Sequence, residues 1–192
     1  MEKKNLIILA GLFFLLMVLV VVYFNLGGKE KPRPVQLMPS SQEEAGSEGQ
    51  VQRATVVLFF SSEKDDLLHR EEREIIASSS VEDQARTIVL ELLKGSQQEN
   101  ISPIPPETRL REVFIAKDGV AYVDFSREFM DKHLSGSSAE ISTIYSVVNS
   151  LTFNIKSIKK VFILVDGGEK KTLGGHLDLT RPFSPLYDLV SQ

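Results

Sequence analysis

Leu6 to Phe24 is an unbroken apolar run, interrupted only by the permissive Gly11 and ending in Tyr23-Phe24. As a helix it is about 28 Å long, close to the roughly 30 Å hydrocarbon core of a bilayer, so the run predicts one transmembrane helix over residues 6–24. A cleaved signal peptide is the competing reading, but its apolar region spans roughly 7 to 15 residues and ends in small residues spaced A-x-A. Tyr23-Phe24-Asn25-Leu26-Gly27-Gly28 offers no such site, and an uncleaved signal anchor is expected. Lys3 and Lys4 precede the run while Lys29, Lys31 and Arg33 follow it, so flanking charge does not orient the helix. The short tail of residues 1–5 predicts a cytoplasmic N-terminus and an extracytoplasmic remainder.

Residues 25–52 turn to Gly, Pro, Ser, Glu and Gln with no apolar periodicity. This is the composition of a disordered linker, whose root-mean-square span is about 28 Å by the flexible-chain relation. Net charge is -4, with acidic and basic residues interspersed, which excludes the electrostatic footprint of a nucleic-acid binder. The chain has no cysteine, so disulfides, thiolate metal sites, a cysteine nucleophile and lipidation of a cysteine are all excluded.

From Arg53 the pattern is that of one folded domain, residues 53–192. Thr55 to Phe60 (TVVLFF) reads as a buried strand, and Leu67 to Ala77 (LLHREEREIIA) as an edge strand with a charged centre. Ser79 and Glu82 have the spacing of a capping box, and Val81, Ala85, Ile88, Val89, Leu92 and Leu93 form one apolar stripe stopped by Gly95. Past a proline-rich loop, strands over Arg109–Ala116 and Val120–Phe125 are joined at Asp118-Gly119, where a tight hairpin requires positive φ. Ser137 and Glu140 give a second capping box, opening a helix with Ile141, Ile144, Tyr145, Val148 and Leu151 on one face. Lys160 to Val165 is a further strand, ended by Asp166-Gly167-Gly168. The expected fold class is α+β: a two-layer sandwich, with a mixed β-sheet of about five strands and two helices on one face.

Several of these pieces together resemble the GerMN domain family of sporulation and spore germination proteins. They are Leu92-Leu93-Lys94-Gly95, the loop Ile104-Pro105-Pro106-Glu107-Thr108-Arg109-Leu110, and the hairpin from Asp118 to Ser126. Further on come Val148 to Thr152, Val161 to Gly167, and Gly175 to Pro182. With the Val57 to Phe60 strand, the resemblance spans Thr55 to Pro185. It implies a protein of the bacterial cell envelope, of assembly or binding type and not an enzyme. Domains of this family are also similar to ring-building modules of secretion and sporulation channels, which implies a homo-oligomer or an envelope protein partner. The chain departs from the family in having Gly95-Ser96 where Gly-Pro is frequent, and a spanning helix with a single domain where many members are lipoproteins or carry a second domain.

No catalytic, cofactor-binding or metal-binding residue is assigned, and no ligand- or partner-binding residue can be named. His69, His133 and His176 fall in different segments without metal-ligand spacing. His176 and Asp178 share a face of an extended segment, the pair a base catalyst would use, but no nucleophile elbow accompanies them. Asp124 and Ser126 read as strand polarity and turn initiation. Asp166-Gly167-Gly168 and Gly174-Gly175 read as turn chemistry, lacking the lysine and helix of a phosphate loop. The charged run Arg70 to Glu74 reads as a solvated edge that discourages strand pairing. Peptidoglycan is the alternative partner, bound in support of a cell-wall hydrolase.

Overall fold

The structure, a computed structural model, describes residues 52–192 together with Met17. The anchor expected at 6–24 and nearly all of the expected linker lie outside the described residues. Among the described residues no helix is long and apolar enough to cross a membrane.

The described elements run β1 (Arg53–Ser61), β2 (Leu68–Ile76), α1 (Val81–Leu93), β3 (Leu110–Ile115), β4 (Val120–Phe125), α2 (Glu128–Asp131), α3 (Ser137–Asn154), β5 (Lys160–Val165) and a 3-10 turn at Tyr187–Leu189. The domain is α+β with five strands, but the strands form two sheets and not one. β1 and β2 pair antiparallel, from Arg53 opposite Ile76 to Ser61 opposite Leu68. The mixed sheet is confined to β3-β4-β5, antiparallel across β3-β4 and parallel across β4-β5.

The split has a local cause. In β1 the backbone groups of Val57 and Phe59 point away from β2, and α3 takes them with polar side chains one turn apart. The Asn154 Oδ1 accepts from the Val57 N–H at 2.9 Å, and its Nδ2 donates to the Val57 carbonyl at 2.7 Å. Ser150 Oγ accepts from the Phe59 N–H at 3.1 Å, and Ser146 Oγ donates to the Phe59 carbonyl at 2.5 Å. Ser61 completes the row by exchanging both backbone bonds with Ile101. A helix face therefore satisfies the edge where a neighbouring strand would sit, and from Val57 to Ser61 β1 has no donors or acceptors left for the second sheet. At the far side of that second sheet, Phe183 exchanges both backbone bonds with Val161 of β5.

The helices pack on each other, α1 also against β1 and β3, α3 against β1 and β5. Between them lies one core containing Leu58, Phe60, Ile88, Leu92, Val123, Phe125, Ile144, Leu151 and Ile163, each fully buried. Side chains of this size contribute roughly 1.5–3 kcal/mol each on burial. The TVVLFF strand is apolar on both faces because both are covered. Val56, Leu58 and Phe60 enter the main core, while Phe59 joins Leu68 and Val190 in a smaller cluster with Phe153.

Both expected capping boxes are corrected. The cap of α1 is Ser80, whose Oγ accepts from the Asp83 N–H at 3.2 Å, one residue later than Ser79 and Glu82. Helix α3 begins after Gly136 (φ +130°) without a side-chain cap, and Glu140 is engaged elsewhere. The short α2 was not foreseen. It places Phe129 flat against Phe125, ring centroids 4.4 Å apart.

Candidate functional site

The residues singled out in the sequence are dispersed, and the structure gives each a local partner. His69 Nε2 lies 3.0 Å from Asp65. His133 Nε2 lies 2.8 Å from Thr143 Oγ1, which donates to the Pro103 carbonyl, and burial holds the imidazole below its ordinary pKa. His176 does not act with Asp178. Asp178 accepts from the Thr180 amide and hydroxyl and from Arg181 Nε, closing a turn. The His176 ring instead places Nδ1 2.6 Å from Glu140.

Glu140 is the centre of that arrangement. Its carboxylate is fully buried and accepts the N–H groups of His176 and Leu177. Gly174 is required beside it, because a Cβ there would come within 2.8 Å of Glu140 Oε1. Burial pushes the Glu140 carboxyl up, but the Leu177 amide, the His176 imidazole and the Gly174 and His176 amides outweigh it and hold the group below its ordinary value. The Glu140 carboxylate thus pins the 174–177 loop to α3, and no nucleophile is among its hydrogen-bond partners.

Asp124 has a comparable role. Its two oxygens accept from Arg111 Nε and from the Gly167 N–H, both at 2.9 Å, while Arg111 Nη1 reaches Asp166 at 3.1 Å. Asp166 and Gly167 both have positive φ, 55° and 74°, and Val165 and Gly168 exchange their backbone bonds around them. This is the two-residue Asp-Gly turn that the sequence suggested at Asp118-Gly119, where only Gly119 has positive φ. Ser126 Oγ accepts from the Arg109 N–H, fastening the end of β4 to the start of β3.

The outer edges of β2 and β3 have no backbone partner along most of their length among the described residues, and β2 is the one that carries the charged run. Because Val57 and Phe59 face α3, their register partners Glu72 and Arg70 also point their backbone groups away from the hairpin, as do Glu74 and Ile76. Among the described residues the backbone bond to this edge is at its start, from the Ser191 N–H to the Leu68 carbonyl. The charged run is only half solvated, correcting the expectation for it. Arg70, Glu72 and Glu74 are exposed, whereas Glu71 and Arg73 point inward and are almost fully buried. Glu71 pairs with Arg73 and also accepts from Ser96 Oγ at 2.6 Å and the Gln97 N–H at 2.9 Å. Arg73 reaches Glu91 at 3.4 Å and the Gly95 carbonyl at 3.0 Å. Burial raises the Glu71 carboxyl, and its bonds to Ser96, Gln97 and Arg73 outweigh this and leave it below the ordinary glutamate value. This buried lock ties β2 to the end of α1. Its inward charges were hidden in the sequence by the alternation of strand faces, which places every second residue of a charged run inside.

Among the described residues no group of His, Asp or Glu could hold a metal ion. A cleft of about 400 Å³ is lined by Tyr145, Asp178, Arg181 and Phe183 with the segment through Leu186.

The fold resembles solved structures. A candidate lipoprotein of Clostridium perfringens aligns over 70% of this chain and 89% of its own, with 27% identity and a TM-score of 0.50. The tandem GerMN domains of the sporulation protein GerM from Bacillus subtilis align over 69% of this chain, with 24% identity and a TM-score of 0.54, and this chain covers 46% of that structure. No curated protein matches in sequence. The family model for Germane, sporulation and spore germination, matches residues 57–171, more than half of the chain, and the protein therefore belongs to this GerMN family.

Proposed function

We propose that this protein is a membrane-anchored, extracytoplasmic interaction module of the bacterial cell envelope, non-catalytic, which assembles by adding a strand to the open edge of β2. The observation that carries the reading is the contrast between edges. The β1 edge is closed from Val57 to Ser61 by α3 and Ile101, whereas Arg70, Glu72, Glu74 and Ile76 present free backbone donors and acceptors on a strand backed by the Glu71–Arg73 pair. Such an edge is a template for another chain. The expected anchor at Leu6–Phe24 and the likeness to a candidate lipoprotein support an envelope location. The local engagement of His69, His133, His176 and Asp178 supports a non-catalytic role.

Peptidoglycan binding is the second reading, and the cleft beside Tyr145 favours it. The aromatic row across β3-β4-β5 does not supply a sugar platform. Tyr122 and Phe162 stack on each other at 5.4 Å, leaving Phe114 as the exposed member.

Light scattering on the full chain in detergent, over a wide concentration range, tests the assembly reading. Association is expected, and Glu72→Pro, which blocks the outward edge, should abolish it. Association that survives Glu72→Pro would overturn the strand-addition reading. Retention of a monomer by purified peptidoglycan sacculi would replace it with the second reading.

A further inference from the structure

Resting on that reading, we infer that the partner strand is β2 of a second copy, related by a two-fold axis through Glu72, so that two hairpins join as a four-stranded antiparallel sheet. The residues whose backbone groups face outward are Arg70, Glu72, Glu74 and Ile76. Antiparallel self-pairing must bring members of this set opposite each other, because a shift of one residue would present groups already bonded to β1.

The axis can then lie at Glu71, Glu72, Arg73, Glu74 or Ile75 with at least two such pairs formed. An axis at Arg73 opposes Glu72 to Glu74 twice, four carboxylates without a cation between them. An axis at Glu71 opposes Arg70 to Glu72 twice, but only these two pairs form before Glu74 meets the Leu68 edge that the Ser191 N–H and the bridge to Val190 already take. An axis at Glu74 avoids the Leu68 edge but opposes Glu72 to Ile76 twice and Glu74 to its own copy, and one at Ile75 opposes only Glu74 to Ile76 twice, neither with an opposite-charge pair. An axis at Glu72 sets Arg70 opposite Glu74 on both sides of the axis and leaves one like-charged pair, Glu72 with its own copy. Only its end residue Ile76 meets the occupied Leu68 edge, so the three pairs from Arg70 to Glu74 form clear of the tail. Opposite charges directly across an antiparallel pair attract and like charges repel, so the edge is self-complementary in this placement. Arg70 is held ready by lying over the Phe153 ring at 5.4 Å, and Glu74 by its bond to Arg53 at 3.2 Å.

The absence of cysteine from the chain makes the register directly readable. In this pairing Glu72 faces Glu72 at a Cα separation of about 5.5 Å, within disulfide reach, whereas Arg70 and its own copy are about 14 Å apart, as are the two Glu74 residues. The full chain carrying Glu72→Cys, oxidised in membranes, should therefore give a covalent dimer. Arg70→Cys alone and Glu74→Cys alone should not, but the two variants expressed together should cross-link. By light scattering, Arg70→Glu should weaken association at least tenfold, Arg70→Glu with Glu74→Arg should restore it, and Glu72→Gln should strengthen it several-fold. Self-cross-linking at all three positions would mean a parallel pairing and would overturn the two-fold register while leaving strand addition standing. Association abolished by Glu72→Pro, in a chain that cross-links at none of these positions, would assign the edge to a different partner strand and overturn the two-fold register. Association indifferent to Glu72→Pro would overturn this register and the strand-addition reading together.

Discussion

The two edges of the β1–β2 hairpin solve the same problem in opposite ways. On the β1 side, every outward group from Val57 to Ser61 is taken by a residue of α3 or by Ile101, and the polar atoms that do this are neutral and mostly buried. On the β2 side the outward groups are left free, and charge is stored beneath them, in Glu71 and Arg73. The sealed edge gains stability by hydrogen-bond completion. The open edge is backed by an ion pair that contributes little net stability, since burying two charges offsets much of their attraction. β2 is thus fastened from beneath and lacks a backbone neighbour outside, the arrangement on which the proposed strand addition rests.

The largest expected effect breaks the open side from within. Removing one member of the buried pair, by Arg73→Ala or Glu71→Ala, leaves a charge without its partner and should cost about 3–5 kcal/mol in chemical denaturation. Replacing both, Glu71→Leu with Arg73→Met, should recover most of that loss. A double variant no better than the singles would mean that the lock's value lies in its bonds to Ser96, Gln97 and Gly95 and not in the pairing.

A proline comparison sharpens the contrast at smaller magnitude. Val57 and Glu72 are register partners, but the Val57 N–H is bonded to Asn154 while the Glu72 N–H is free. Val57→Pro should cost about 3 kcal/mol or more, because it deletes a buried bond and disturbs α3, whereas Glu72→Pro should cost about 1 kcal/mol or less. Equal losses in thermal or chemical unfolding would show that the β2 edge is engaged within the domain and not open.

How far these features were legible in the sequence depends on the range of the interaction. Strands β4 and β5 and the apolar stripe of α1 were legible because periodicity is a local property. The charged edge strand was legible as an element, but not the inward turn of Glu71 and Arg73, which depends on the register with β1. The division into two sheets was hidden because the helix is read by its apolar stripe alone, which assigns no role to Ser146, Ser150 and Asn154. Their i, i+4 spacing was the available signal, three small hydrogen-bonding side chains one turn apart on a helix that also carries an apolar stripe. Glu140 was misplaced for a related reason. Ser137-x-x-Glu140 fits a capping box by spacing, yet the stronger claim on the carboxylate comes from the amides of a loop 36 residues later. Local rules assigned the first group no partner and Glu140 a local one, and tertiary structure supplied the partners of both.

Acid distinguishes the two edges in a final and smaller way. The ladder that seals β1 contains no titratable side chain, so its contribution does not depend on pH, whereas the β2 lock depends on ionised Glu71, and the 174–177 loop on ionised Glu140. Both carboxyls are held in the folded state below the ordinary value of 4.5. The unfolded chain therefore takes up protons first as pH falls. The stabilisation from these groups is complete above about pH 4.5 and is lost as pH falls through the lower folded values. His133, held by burial below its ordinary 6.5, adds a shallower decline that begins nearer that value, because the unfolded imidazole also protonates first. Unfolding free energy measured from pH 7 to pH 3 should fall along these two limbs. Glu71→Gln and Glu140→Gln should each flatten the acid limb. Ser150→Ala should lower the whole curve by about 1 kcal/mol without changing its shape. An acid limb unaltered in Glu71→Gln would mean that the lock beneath the open edge does not depend on charge, and the two edges would then differ in exposure alone.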